Sequence, residues 1–247
     1  MTRGIQRVEP CQGRKAVDQR LRVLIADNHK LVADGCRQML EPEYNVVGIV
    51  TDGRALVQAV AKLRPDVAIL EVDLPQLNGL AAAGQIKRSL PSLKIVFLAA
   101  SSAVDAAAEA FRWGASAYVL KQSDGAEFIT AVRRVLRGES YLSPLIARET
   151  IDYLLQPRKH QTFGRQLTLR EMEVLQLLTE GRSMKEVAQV LEIGSTTVAF
   201  HKYKVMEKLG ISSNAGLFRY AMEHFMMPEQ GAWPIRDTDG MRLMEVS

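Results

Sequence analysis

Glu192-Ile193-Gly194-Ser195-Thr196-Thr197-Val198-Ala199-Phe200-His201-Lys202-Tyr203 decides how the segment Leu167–Phe225 folds. A short helix ends in this stretch, turns at Gly194 and restarts, with Gly194 or Ser195 as the new cap. Stepping about 100° per residue from Val198 gathers Val205 and Leu209 on one buried side. Thr196, Ala199, Phe200, Tyr203 and Lys204 then fall on the opposite side. That side is neither a charged solvating face nor an apolar packing face. Its hydroxyl, methyl, aromatic and amine groups suit base-pair edges and their flanking phosphates.

The residues around it complete a helix-turn-helix. Thr168-Leu169-Arg170-Glu171 and Ser183-Met184-Lys185-Glu186 both read as capping boxes, in which a hydroxyl and a carboxylate satisfy each other's orphan amides. Leu169, Val174, Leu175 and Leu178 form an apolar stripe, and Gly181 can take the left-handed conformation that stops that helix. Val187, Ala188 and Leu191 line the next helix, and Leu217, Phe218, Ala221 and Phe225 a last one from about 213 to 225. Four short helices of this kind bury one small core.

Leu167-Thr168-Leu169-Arg170-Glu171, Glu173-Val174-Leu175, Glu180-Gly181, Lys185-Glu186-Val187-Ala188, Thr197-Val198, His201 and Lys208-Leu209-Gly210 resemble the LuxR-type DNA-binding domain in order and spacing. The resemblance implies that the helix carrying Thr197 to Leu209 enters the major groove and that the last helix pairs two subunits. It makes Ala199, Phe200 and Tyr203 the base-facing positions. Members of the family often carry lysine where this chain has Ala199 and Tyr203, which implies a different target or a lower base-specific affinity. The DNA-binding set expected on this reading is Lys185, Ser195, Thr196, Thr197, Ala199, Phe200, Lys202, Tyr203, Lys204 and Lys208.

Upstream, from Leu21 to about Pro144, short apolar runs alternate with helical patterns. The runs Leu21–Ala26, Val46–Val50, Val67–Leu70, Ile95–Ala100 and Ala117–Leu120 are rich in β-branched residues. Helical periodicity lies near 30–40, 53–63, 79–89, 104–113 and 125–137. Such alternation predicts an α/β fold, a five-stranded doubly wound parallel sheet of flavodoxin-like type, covered on both faces. The working site of such a sheet lies off the carboxyl ends of its strands.

The residues at those ends are Asp27-Asn28-His29, then Glu71-Val72-Asp73-Leu74-Pro75, then Ala99, then Lys121. With Gly114-Ala115-Ser116-Ala117-Tyr118, they resemble the receiver domain of bacterial response regulators. Joined to the LuxR-type module, the whole chain resembles a NarL/FixJ-type response regulator. A working receiver of that family has a second acid where Asn28 stands, an aspartate that becomes an acyl phosphate where Glu71 stands, and a threonine or serine where Ala99 stands. Asp27, Tyr118 and Lys121 match. The resemblance therefore implies a degenerate pocket of Asp27, Asn28, Glu71, Asp73, Ala99, Tyr118 and Lys121, with magnesium binding weak or absent.

Each change has a chemical consequence. An amide at position 28 removes a negative charge from a metal pocket that wants oxygen anions. The extra methylene of Glu71 displaces its oxygens by about 1 Å, a misplacement worth about 100-fold in an in-line attack. Ala99 has no hydroxyl with which to read a phosphoryl group. Glu71 instead holds a permanent negative charge near Lys121. That pair either mimics an activated state or is a partly buried ion pair in an inert dimerising scaffold. Asp73 is the alternative acceptor in the loop.

Bulk properties narrow the class without choosing the partner. The 247 residues carry a formal charge of +4, and residues 1–20 hold five Lys/Arg against two acids, so the leader is basic. Residues 160–227 hold eight against seven, so the placement of Lys202, Lys204 and Lys208 on one helix, not overall basicity, argues for DNA. Cys11 and Cys36 are too few for a disulfide scaffold, and the four histidines show no zinc-ligand spacing. No apolar run reaches about 18 residues, and residues 1–20 lack the apolar core of a signal peptide. These features predict a cytoplasmic protein with no membrane partner, no metal and no catalytic residues.

The organisation expected is a disordered leader over 1–20, a receiver-like domain over 21–144, a linker over 145–166, a DNA-binding domain over 167–227 and a disordered tail over 228–247. The linker begins helical and becomes a polar tether after Pro157. The function expected is sequence-specific binding of double-stranded DNA by a homodimer, with a phosphorylation-independent receiver and a possible sensor kinase or other regulatory protein as partner. Two alternatives stay open on the sequence alone. One is a conventional phosphoswitch using Glu71 or Asp73; the other is a protein-interaction module that has lost DNA.

Overall fold

The computed structural model describes residues 20–100, 102–155 and 167–224. Residues 1–19, 156–166 and 225–247 lie outside the described residues, and with them all but residue 20 of the expected leader over 1–20, the polar tether and the expected tail over 228–247. In the amino-terminal half, β1 (Arg22–Ala26), β2 (Asn45–Val50), β3 (Val67–Leu70), β4 (Lys94–Ala99) and β5 (Ala117–Leu120) alternate with five helices. These are α1 (Lys30–Leu40), α2 (Gly53–Leu63), α3 (Gly79–Ser89), α4 (Val104–Arg112) and α5 (Gly125–Leu136). All bounds lie within a residue or so of the periodicity that predicts them. Every residue of β3 and β5 is buried, because helices cover both faces of the sheet and leave no polar side to alternate. Asp52, Asn78 and Asp124 cap α2, α3 and α5 by accepting the amides of Ala55, Ala81 and Glu127.

The sheet has six strands where five were expected. Strand β6 (Tyr141–Leu142) extends it in parallel beside β5, giving the order β2-β1-β3-β4-β5-β6. Two residues are too short to show periodicity. Only the neighbouring edge, through Tyr141 N–H to Ser116 O and Ser143 N–H to Tyr118 O, makes them a strand. Beyond it, α6 (Pro144–Leu155) packs on α4 and buries Ile146 and Thr150, so the helical half of the expected linker belongs to the receiver's packing.

The carboxyl-terminal half comprises α7 (Leu169–Thr179), α8 (Met184–Leu191), α9 (Ser195–Leu209) and α10 (Asn214–His224). Both capping boxes form: Thr168 with Glu171, and Ser183 with Glu186. Val174, Leu177, Val187, Leu191 and Val198 close a small core. Gly194 is the N-cap of α9, but the left-handed residue that turns the chain is Glu192, at φ 54°. Among the described residues no helix is long and apolar enough to cross a membrane.

The two halves are packed together. Helix α7 lies over α3 and the loop that follows β3. Gln176 Oε1 accepts the Asn78 amide at 2.7 Å and its Nε2 donates to Leu74 O at 2.9 Å, while Glu180 Oε1 accepts the Gln76 amide at 2.8 Å. Gln85 donates to Glu173 a turn further on. Gly84 leaves room for Trp113, since a Cβ there would lie 2.6 Å from its ring and 3.4 Å from Leu169.

The loop between β3 and α3 tolerates little bulk. A Cβ on Gly79 would lie 2.1 Å from the carbonyl oxygen of Glu71, which is backbone and cannot swing aside. Gly79→Ala is therefore expected to destabilise the protein by about 2 kcal/mol. Urea unfolding followed by circular dichroism checks this, and a change under about 0.5 kcal/mol would show that the loop yields.

Candidate functional site

The order of the sheet places its topological switch between β1 and β3. Asp27 follows β1 and Glu71 follows β3, and both are buried, at 3% and 2% exposure. Lys121, just past β5, reaches back over the strand ends to both. Its ammonium lies 2.9 Å from Asp27 Oδ2 and 3.1 Å from His29 Nδ1, and it contacts Glu71 Oε2 directly. The other Asp27 oxygen accepts the His29 amide at 2.8 Å and lies 2.9 Å from His29 Nδ1. One tautomer of the imidazole serves Asp27 or Lys121, not both.

Glu71 folds back on its own loop. Its Oε1 accepts the amide of Val72 at 2.6 Å and that of Asp73 at 3.3 Å. The carboxylate is thus held between two backbone donors and one ammonium. Burial pulls the Lys121 ammonium toward deprotonation, but the hydrogen bond and charge of Glu71, then those of Asp27, outweigh it and raise its pKa. The cationic form is the one the pocket stabilises.

Asp73 presents exposed surface, yet its carboxyl is crowded by protein on the pocket side. Burial, and then the neighbouring Glu71 charge, push it up to about 7. Tyr118 is wholly buried against Phe97, ring centroids 6.4 Å apart, and burial moves its phenol well above the ordinary range. Ala99, 1% exposed, ends β4 in the apolar cluster that includes Phe97 and Tyr118. Asn28 is exposed at the lip. Apart from Tyr118, which lies within β5, the expected pocket residues gather at the carboxyl ends of the strands, and Lys121 contacts both Asp27 and Glu71. His29 joins them, a residue outside the expected seven. Its position two residues after Asp27 was the available signal.

In the carboxyl-terminal half the expected DNA-binding residues divide. Ser195, Thr196, Thr197, Phe200, Tyr203 and Lys185 are exposed, whereas Ala199, Lys202 and Lys204 are half-buried. Phe200 and Tyr203, at 59% and 65%, are the only aromatics among the exposed large apolar side chains of the described residues. Lys208 turns the other way and donates to Glu171 Oε2 at 2.6 Å, tying α9 to the capping box of α7. Burial pushes the Glu171 carboxyl up, but the hydrogen bonds from Lys208 and Thr168, with the Lys208 charge added, outweigh it and hold the group below its ordinary value. Sequence placed Lys208 on the flank of α9; the approach of α7 decides which way it points.

Two family models match the chain, the response regulator receiver domain over residues 23–133 and the bacterial regulatory proteins of the luxR family over residues 165–221. The chain is 31% identical to the transcriptional regulatory protein MctR of Rhizobium johnstonii, covering 86% of this chain and 98% of that one. It is 31% identical to the oxygen regulatory protein NreC of Staphylococcus carnosus, over 82% and 97%. Among solved structures, the RcsB response regulator of Salmonella typhimurium is similar at 26% identity and a TM-score of 0.58, covering 84% of this chain and 99% of that one. A structure of two RcsB dimers bound to two parallel DNAs is similar at 28% identity and a TM-score of 0.52, covering 82% and 98%.

Removing the ammonium leaves two buried carboxylates facing each other. Lys121→Met is expected to cost about 3–5 kcal/mol in denaturant unfolding, and adding Glu71→Leu should recover part of it. A neutral Lys121→Met variant would mean that solvent, not lysine, balances the pocket. Asp73 has the opposite pH signature. Its folded form keeps a proton up to about 7 that the unfolded chain gives up near 3.8, so its contribution to stability falls as pH rises between those values. Melting temperatures of wild type and Asp73→Asn should separate across that window and run parallel above it; curves parallel throughout would remove Asp73 as the cause.

Proposed function

The chain belongs to the response regulators that join a receiver domain to a LuxR-type helix-turn-helix domain, and on that premise we propose a sequence-specific transcription regulator whose receiver acts without a phosphorylation cycle. It binds double-stranded DNA through α9 and works as a homodimer, as RcsB does in its DNA-bound structure. Two recognition helices then meet half-sites about one helical turn apart. The receiver occupies 21–144 and the DNA-binding domain 167–227.

The observation that carries the proposal is the Lys121 ammonium seated against both Asp27 and Glu71. Magnesium takes oxygen donors in near-ideal octahedral geometry. The cluster here is Asp27, His29 and Glu71, with ligand atoms within 4.8 Å of one another, one of them nitrogen. Lysine already contacts all three donors, and an exposed amide stands where the family has its directly ligating carboxylate. These residues do not fit a magnesium ion. Nor is the Glu71 carboxylate free to attack, since one oxygen meets Lys121 and the other the loop amides. A fixed negative charge held by lysine and two backbone donors takes the place of a transient one. The receiver then dimerises the protein or senses a partner protein, and has no catalytic role.

Incubation of the full chain with magnesium and acetyl phosphate, followed by intact mass, is expected to show no added phosphate. A stable phosphate on Glu71 or Asp73 would return the protein to the conventional phosphoswitch. In parallel, selection of genomic fragments by the untreated protein is expected to enrich a motif.

A further inference from the structure

Helix α9 has a reading face unlike a charged one. Thr196, Phe200 and Tyr203 follow one another at spacings of four and three, with Ala199 beside them, so they form one stripe. The helix contains no arginine, and each of its three lysines is engaged. Lys204 Nζ donates to Glu207 at 3.1 Å, Lys208 donates to Glu171, and the Lys202 ammonium lies 5.8 Å from the centre of the Tyr203 ring. Phe200 packs edge-on against His201, centroids 5.7 Å apart, which orders the ring while leaving it 59% exposed.

In the major groove guanine is read by bidentate cations, adenine by amides, and thymine by apolar contact with its C5 methyl. Thr196, Ala199, Phe200 and Tyr203 carry no side-chain amide and no cation, and the lysine beside them, Lys204, is paired with Glu207. Phe200 has no polar atom at all, and gains only where its exposed surface meets apolar surface. The groove offers that surface chiefly as the thymine methyl. Resting on the reading of α9 as the DNA-entering helix, we propose that the half-site is selected by thymine methyl groups packed against Phe200 and the methyl of Thr196, and not by hydrogen bonds to guanine. One turn separates these two residues, about 6 Å along the axis. The thymines they meet lie within about two base-pair steps of each other, at about 3.4 Å per step.

The test uses the full chain and the tightest duplex from a random-pool selection. Each thymine of the half-site is replaced by deoxyuridine, which deletes the methyl and leaves pairing and hydrogen-bonding groups unchanged. Loss of about fourfold in affinity is expected at each methyl buried by the helix. Phe200→Ala, whose side chain lies outside the core, should bind the thymine and uracil duplexes alike at the position Phe200 reads, and its unfolding midpoint verifies the fold. An enriched duplex indifferent to uracil at every position overturns this assignment alone. So does a uracil penalty that Phe200→Ala leaves intact at every position. A selection that enriches no duplex overturns it together with the DNA-binding reading, and would favour a protein partner for the aromatic stripe.

Discussion

One ammonium group balances the amino-terminal half of this protein. Lys121 lies at the mouth of a parallel sheet whose strands deliver two buried carboxylates to the same point, Asp27 from β1 and Glu71 from β3. Two such anions in a low-dielectric pocket repel strongly unless a cation lies between them. Here the cation is covalently part of the chain, and the extra methylene of Glu71 lets the carboxylate reach lysine on one side and the amides of residues 72 and 73 on the other. The length of the glutamate side chain lets one carboxylate meet both partners.

The loop that carries Glu71 is also the seat of the other half. Residues 74 to 78 hand three backbone groups to Gln176 and Glu180 of α7, and Gln76 holds a left-handed φ of 63° within that arrangement. A non-glycine residue keeps such a conformation when its surroundings over-determine it. Pocket and DNA-binding domain are therefore joined through a few residues of backbone. While α7 is seated there, the stripe of Thr196, Phe200 and Tyr203 still faces outward, so this packing leaves that face of α9 open.

Local chemistry made most of the fold legible. Alternating apolar runs and helical periods placed five strands and the first five helices, because each element's burial is written in its own residues. The capping boxes at Thr168 and Ser183 were equally plain, since hydroxyl and carboxylate three residues apart satisfy each other without help from elsewhere. Strand β6 was not legible. Neither was the use of α6 as a cover for α4, where only the bound neighbour distinguishes a packed helix from the start of a linker. At the turn before α9, Gly194 serves as the cap, but the left-handed conformation falls to Glu192, a residue whose type gives no sign of it.

What the sequence by itself determined is the inventory: two modules, an acid, an amide, a glutamate and a lysine at three strand ends, and a mixed aromatic and hydroxyl face on one helix. Those follow from period and residue type. What only the tertiary structure decided is which groups meet. That Lys121 contacts Asp27, His29 and Glu71 together, that Lys208 turns inward to Glu171, and that Gln176 closes on the Glu71 loop all depend on contacts between residues distant in the chain. A side chain's reach is a few ångströms, and only the packing of sheet and helices brings such partners within it.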